Sequence, residues 1–415
     1  LCYRRQRQMC IRDRHQSGRP ASPQKSDRNG MSNPRKVYVG AQIHDGRNLL
    51  EDHALVCNSD SLFSVQPISH LPTGCPVERL SGGLITPGFV DLQVNGGGGV
   101  MFNDDQSVET LEKIASAHAS TGTVAFLPTL ITDTPDRTRA AIDAVERAIA
   151  QKTDGVVGIH LEGPHLSVAR KGAHDPSLIR SMSDDDLQLL LHAAERLANV
   201  IVTVAPESTT PAQINAMTQA GIVVSLGHTD ADAETCHAAF DAGARCVTHL
   251  FNAMSQLQSR EPGLVGATLT RGDIYAGLIA DAIHVHPSTI AVALAAKPQS
   301  ERVFLVTDAM ACAGTDLQSF QLNGRRIFRK DSRLTLENGT LAGADLEMPN
   351  ALEVMATKVR DTHSQAVQRA TATPAELLRD NTGIGMLNGA RRAVYFPDGL
   401  SRSGNRRVLS ANPSN

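Results

Sequence analysis

A chain of 415 residues with 41% hydrophobic and 20% charged side chains can bury a large core, which excludes a disordered or low-complexity protein. Its net charge of −3 argues against bulk nucleic-acid binding, while leaving room for a local cation pair that holds a small anion. Seven cysteines without a C-x-x-C, an odd count, are poor material for disulfides or structural zinc, and no apolar run approaches the about 18–20 residues that span a bilayer. With no signal peptide evident either, the expected location is the cytoplasm, with no membrane and no nucleic-acid partner.

In chain order, residues 1–30 hold eight Lys or Arg against two Asp, a net +6 that leaves −9 for the remainder. They show almost no apolar periodicity. The expected reading is a non-native basic leader, translated upstream or vector sequence ahead of a start at Met31. Residues 31–84 alternate in short apolar stretches with Pro and Gly punctuation, and are expected to form the first part of a small β-domain.

From 85 to 350 a regular alternation takes over. Short β-branched runs fall at Phe89–Val94, Thr123–Pro128, Val156–Leu161, Val200–Ala205, Ile222–Leu226, Arg245–Thr248, Ile274–Ala280 and Val303–Thr307. Between them, helical spacing is clearest at Val108–Ser120, Asp136–Ala150, Asp184–Leu197, Pro211–Ala220, Asp232–Ala242 and Pro287–Ala296, several with Asp or Pro near the start. Eight such units make an α/β fold, expected as a (β/α)8 TIM barrel with a second, smaller β-domain; a doubly wound sheet is the alternative. Residues 351–415 are expected to supply a C-terminal helix and then, after about Leu378, an atypical Gly-, Arg- and Ser-rich stretch that reads as a loosely ordered tail or a sequence discontinuity.

Reactive side chains fall where the strands end. Gln93 and Asn95 end the first run, Glu162 the third, Glu207 the fourth, His228 the fifth, His249 the sixth, Asp281 and His284 the seventh, and Asp308 the eighth. In a parallel barrel these ends share the face on which βα loops build an active site. Glu162, His228 and His249 together offer one carboxylate and two imidazoles, a set suited to one divalent metal ion per subunit. Zn2+ is the first choice, with Fe2+, Co2+ or Mn2+ as alternatives. Neutral Gln93 and Asn95 are weak ligands, so one tightly bound metal is expected rather than two. Asp308 is placed to take a proton from an activated water and pass it to a leaving amine. His174, in a loop after the third strand, is a candidate donor to a carbonyl oxygen. Arg260 and His284 are candidate phosphate donors, and Leu341 in G-T-L-A-G is a candidate packing contact. The run N-G-G-G-G (Asn95–Gly99) lacks the G-K-[ST] of a phosphate loop and reads as a βα loop.

Several stretches together resemble the N-acetylglucosamine-6-phosphate deacetylase family of the amidohydrolase superfamily. They are P-G-F-V-D-L-Q-V-N-G, H-L-E-G-P-H-L, K-G-A-H-D-P, S-L-G-H-T, T-H-L-F-N-A-M, R-E-P-G-L-V-G, A-D-A-I-H-V, L-V-T-D-A and G-T-L-A-G, in family order from about Val37 to about Pro374. The resemblance implies a hydrolase that cleaves an amino-sugar phosphate into acetate and D-glucosamine 6-phosphate. Glu162, His228 and His249 would hold the metal, Asp308 would be the acid–base residue, and His174 would polarise the acetamide carbonyl. Asn252, Ala253, Arg260 and His284 would contact the sugar phosphate, with help from Ala173 and Leu341. It also implies a homodimer or homotetramer with the site near a subunit interface. The family's closing glycine-spaced run is not found after Leu378, so the small domain is expected to have lost strands. Two competing readings are a barrel amidohydrolase acting on a cyclic amide or nucleobase, and a non-catalytic sugar-phosphate sensor.

Overall fold

The computed structural model describes residues 36–71, 73–402 and 404–412. The basic segment 1–30 and its proposed start at Met31 lie outside them.

Eight parallel strands follow one another in sequence order around a barrel: Phe89–Val94, Thr123–Ile131, Ile159–Glu162, Val200–Val204, Val223–Leu226, Cys246–Val247, Tyr275–Leu278 and Val303–Leu305. Each overlaps its expected run. The eighth strand returns to the first through side chains and single bridges rather than a full ladder. The Asp308 amide donates to Gln93 O at 3.0 Å, Asn95 N donates to Ala309 O at 2.9 Å, and Val94 bridges Ala309. Beneath them the Thr307 hydroxyl donates to Asp91 Oδ2 at 2.5 Å, and the Thr307 amide donates to Asp91 Oδ1 at 3.2 Å. Burial pushes the Asp91 carboxyl up to about 7.

The helices start where local chemistry satisfies their first amides. Ser107 accepts from Thr110 N, and Ser183 with Asp186 and Thr210 with Gln213 form reciprocal capping boxes at Asp184–Arg196 and Pro211–Gln219. One barrel helix escaped the periodicity. Gly263–Thr270 is buried at every residue but the last, so it has no polar face to mark a period, and its N-cap is Pro262, which has no capping side chain; Glu261 and the distant Ser255 accept its first amides instead.

The small domain corrects the expectation for the tail. It contains a four-stranded sheet, ordered Phe63–Pro67, His53–Cys57, Lys36–Val39 and Val77–Arg79. The second sheet has five strands, ordered Arg407–Ser410, Arg392–Phe396, Leu84–Pro87, Gln42–His44 and Leu49–Leu50. The segment beyond Leu378 is therefore not a loose tail, and the domain has not lost its returning strands. Arg392–Phe396 pairs antiparallel with Leu84–Pro87, placing Val394 opposite Thr86 and Phe396 opposite Leu84. Its alternation serves two cores, since Ala393 and Tyr395 pack with Ile43, Leu55 and Phe63, whereas Val394 and Phe396 pack with Phe89 and Leu84 against the barrel. Three consecutive β-formers (V-Y-F) are too short a signal to stand out among Gly and Arg neighbours. Between these strands and the barrel, helices Met348–Val354 and His363–Ala370 bury Ala351, Leu352, Ala366 and Val367.

After the eighth strand the chain makes an antiparallel meander, Ser319–Leu322, Arg325–Lys330 and Arg333–Thr335. Its Leu322, Ile327 and Leu334 are fully buried against Met101, Ile131 and Met310 near the C-terminal mouth of the barrel.

Candidate metal centre and active-site cavity

Three side chains far apart in sequence meet at one point at the C-terminal mouth. Glu162 Oε1 lies 3.1 Å from His228 Nε2 and 3.1 Å from His249 Nε2, and the two nitrogens are 3.1 Å apart. All three side chains are nearly inaccessible. Ligand atoms about 2.0–2.1 Å from a tetrahedral zinc stand roughly 3.3 Å from one another, so this triangle has the dimensions of a metal-binding face.

Proton positions make the same point. The Arg170 carbonyl can only accept, so His228 Nδ1, at 2.8 Å, donates to it. The Nε2 of a neutral His228 is then a lone pair aimed at a carboxylate and another imidazole, an arrangement that fits a cation between them. His174 is built the other way. It falls within 4.8 Å of the Glu162 and His228 ligand atoms, close enough to be a fourth donor. Yet its Nδ1 accepts the Thr132 amide at 3.3 Å and meets the Thr132 hydroxyl at 2.7 Å. That leaves the ring proton on Nε2 and makes His174 a hydrogen-bond donor rather than a ligand. Burial, and then the neighbouring His228, hold His174 well below the ordinary imidazole range, in its neutral form.

Backbone conformation is unusual at the same residues. His228, His249 and Asp308 have φ of 47°, 29° and 51°, in the left-handed region that non-glycine residues rarely occupy. Burial works to raise the Glu162 carboxyl, but the adjoining His228 and His249 rings outweigh it and hold it well below the usual range. Asp308 is pushed up to about 6 by burial and then by the charge of Glu162. The first-strand amides orient both carboxylates. Gln93 Nε2 donates to Glu162 at 3.2 Å and to Asp308 at 3.3 Å, and Asn95 Nδ2 donates to Asp308 Oδ1 at 2.6 Å. Instead of ligating, Gln93 and Asn95 act here as neutral donors.

A cavity of about 390 Å³ opens over this cluster. Ala173, His174, Asn252, Ala253, His284 and Leu341 all line it, together with Glu162, His228, His249 and Asp308. Arg260 does not; it is exposed in the stretch 256–262, between buried Ser255 and the buried Gly263–Thr270 helix. Glu207 is also elsewhere, accepting the Thr229 hydroxyl and the Asp230 amide as a loop brace. A larger cavity, about 520 Å³, lies at the other end of the strands and is lined by Gly88, Val124 and Val157, without the ligating cluster.

Two contributors were not singled out from sequence. Arg170 lines the cavity, pairs with Asp230 at 2.7 Å and fixes His228 through its carbonyl; its place beside K-G-A-H was the available signal. Leu322 reaches the cavity from the meander, and nothing local in S-F-Q-L announces that.

Residues 84–385 match the profile of the amidohydrolase family. The chain belongs to the amidohydrolase family. This amidohydrolase is 42% identical over 349 residues, 83% of its own length and 87% of the relative, to an N-acetylgalactosamine-6-phosphate deacetylase of Shewanella sp. (strain ANA-3). It is 34% identical over 368 residues, 87% of its length and 95% of the relative, to an N-acetylglucosamine-6-phosphate deacetylase of Haemophilus influenzae. Among solved structures, the N-acetylglucosamine-6-phosphate deacetylase of Pasteurella multocida superimposes with a TM-score of 0.84 at 31% identity, covering 91% of this chain and 98% of that one. A mutant of the Mycobacterium smegmatis enzyme, in complex with N-acetyl-D-glucosamine-6-phosphate, gives 0.80 at 28% identity over 91% and 98% of the two chains. The (β/α)8 barrel and a hydrolytic amidohydrolase activity are thereby shared properties of this chain. No helix of the described residues is long and apolar enough to cross a membrane.

Proposed function

We propose that this amidohydrolase removes the acetyl group of N-acetyl-D-glucosamine 6-phosphate, giving acetate and D-glucosamine 6-phosphate. The observation that carries the reading is the 3.1 Å convergence of Glu162, His228 and His249 beside Asp308, in a chain related to deacetylases of that class. Those three residues would hold a divalent cation, which would supply Lewis-acid chemistry by lowering the pKa of a water towards about 7 and polarising a carbonyl. Zn2+ suits one carboxylate and two imidazoles best, and Fe2+, Co2+ and Mn2+ are compatible with the same donors.

The protein's own groups do the rest. Asp308 accepts the proton of the attacking water and returns it to the amine as the C–N bond breaks. His174 donates from Nε2 to the carbonyl oxygen as that atom gains negative charge. Asn252, Ala253 and His284 bind the phosphate, Ala173 helps orient the sugar, and Leu341 packs on it. Arg260 lies outside the cavity of its own chain, so its phosphate role requires a second subunit, in keeping with a homodimer or homotetramer. The location that goes with this reading is the cytoplasm, where unpaired thiols such as Cys236, Cys246 and Cys312 stay reduced.

A second reading, the galactosamine epimer as substrate, is favoured by the 42% identity to the Shewanella enzyme. One assay tests both. Acetate release by the metal-loaded enzyme should proceed with a 6-phosphorylated N-acetylhexosamine, fall at least about tenfold without the phosphate, and drop by about 10²–10⁴-fold in Asp308→Asn or after chelation. Equal turnover of phosphorylated and unphosphorylated sugars would refute the assignment, and the faster epimer decides between the two readings.

A further inference from the structure

The turn after the seventh barrel strand carries a dyad whose chemistry is more specific than a loop brace requires. His284 Nδ1 lies 2.6 Å from Asp281 Oδ2, and the two side chains are only 7% and 6% exposed. The other oxygen, Asp281 Oδ1, accepts the backbone amides of Ile283 at 2.8 Å and His284 at 2.7 Å. Ala282, between them, has a φ of 63°. The carboxylate therefore clamps both the turn and the ring.

A carboxylate only accepts, so the proton between the two residues belongs on Nδ1. The opposite nitrogen, Nε2, is the one left for the cavity that His284 lines. In a neutral ring with Nδ1 protonated, Nε2 is a lone pair and repels a phosphate oxygen; with a second proton it becomes a charged donor. We propose that Asp281 is a positioning residue that commits the first proton of His284 to Nδ1, so that His284 binds the substrate phosphate only as an imidazolium. This rests on the reading of His284 as a phosphate contact. Other charged or titratable groups facing the same cavity are Asp308, Glu162, His249, His228, His174 and Arg170. Asp308 acts on the His284 ring through charge alone, whereas Asp281 touches it directly.

A merely structural cap makes a different prediction, because asparagine caps such a turn as well as aspartate does. In Asp281→Asn the amide oxygen keeps the two backbone bonds, while its NH2 donates to His284 Nδ1. That moves the ring proton to Nε2, and a neutral His284 then donates to phosphate at any pH.

The experiment follows KM and kcat of the metal-loaded enzyme from pH 7 to 9, where a sugar phosphate is already a dianion. In the native enzyme KM for N-acetylglucosamine 6-phosphate should rise with pH, because only the doubly protonated ring donates to the phosphate, ahead of any change in kcat. In Asp281→Asn it should stay within about twofold across the range. His284→Gln, a donor that does not titrate, should also flatten the profile, and it serves if the first variant folds poorly. A flat native profile, or variants that follow the native slope, overturns the proposal. Unphosphorylated N-acetylglucosamine is the control: if native KM is the same without the phosphate, the phosphate reading itself fails and the proposal falls with it.

Discussion

On the proposed reaction, Asp308 is the residue whose charge state sets when the chemistry runs. Burial and Glu162 raise its carboxyl to about 6, and the 2.6 Å bond from Asn95 works in the opposite direction. A cation beside it favours the carboxylate further, so the loaded enzyme should hold Asp308 ionised down to pH 6 or lower. The acid limb of log kcat against pH is then expected at or below about 6, with unit slope beneath it and a plateau up to pH 8. Replacing Asn95 with Ala removes the donor that lowers Asp308 and should move this limb upward. A limb centred above 7 in the native enzyme, or one that moves down in the variant, would show that another group accepts the proton. Sequence already named Asp308, Glu162, His228 and His249, because strand-end positions can be read from period and chemistry. It could not supply tautomers. That His228 presents a lone pair and His174 a proton follows from the Arg170 carbonyl and the Thr132 amide, contacts that no spacing encodes.

At the level of elements, the same contrast explains what the text concealed. Amphipathic helices such as Val108–Ser120 were legible at their boundaries because a polar face and a Ser cap mark them. Gly263–Thr270 was invisible because burial on all sides erases the period. The meander at 319–335 was missed for a different reason, its importance being tertiary. Leu322 lines the cavity, and Arg325 Nη2 donates to the carbonyl of Ala173, on the loop that carries His174. The meander thus bolts down the loop that carries His174 from outside the barrel motif. Arg325→Ala removes that hydrogen bond while keeping Ile327 and Leu334 in their core, so folding stability should change little. A net bond of about 0.5–1.5 kcal/mol corresponds to roughly a two- to tenfold loss in kcat/KM, read with the phosphorylated substrate. Unchanged kinetics with an intact fold would mean that the loop holds its shape without the meander.

The molecule as a whole depends on strands Arg392–Phe396 and Arg407–Ser410, in a part whose composition looked little like a folded segment. Strand 392–396 stands between two cores, and its period of two sends Tyr395 to the small domain and Val394 and Phe396 to the barrel. Phe396 is fully buried and its ring sits 6.3 Å from that of Phe89, the first residue of the first barrel strand. Strand 392–396 therefore braces the first barrel strand, which Phe89 opens and which carries Gln93 and Asn95. Phe396→Ala is expected to cost about 3–5 kcal/mol, a large share of the roughly 5–15 kcal/mol that keeps a domain folded. Urea unfolding of the metal-loaded protein should show the midpoint falling accordingly. Arg402→Ala, on an exposed stretch of the same segment, should leave the midpoint within about 0.5 kcal/mol of the native value. If Phe396→Ala unfolds at the native midpoint, the terminal strand is an appendage and the barrel stands without it. If both variants are equally destabilised, the loss comes from the segment's general order and not from the contact across the two cores.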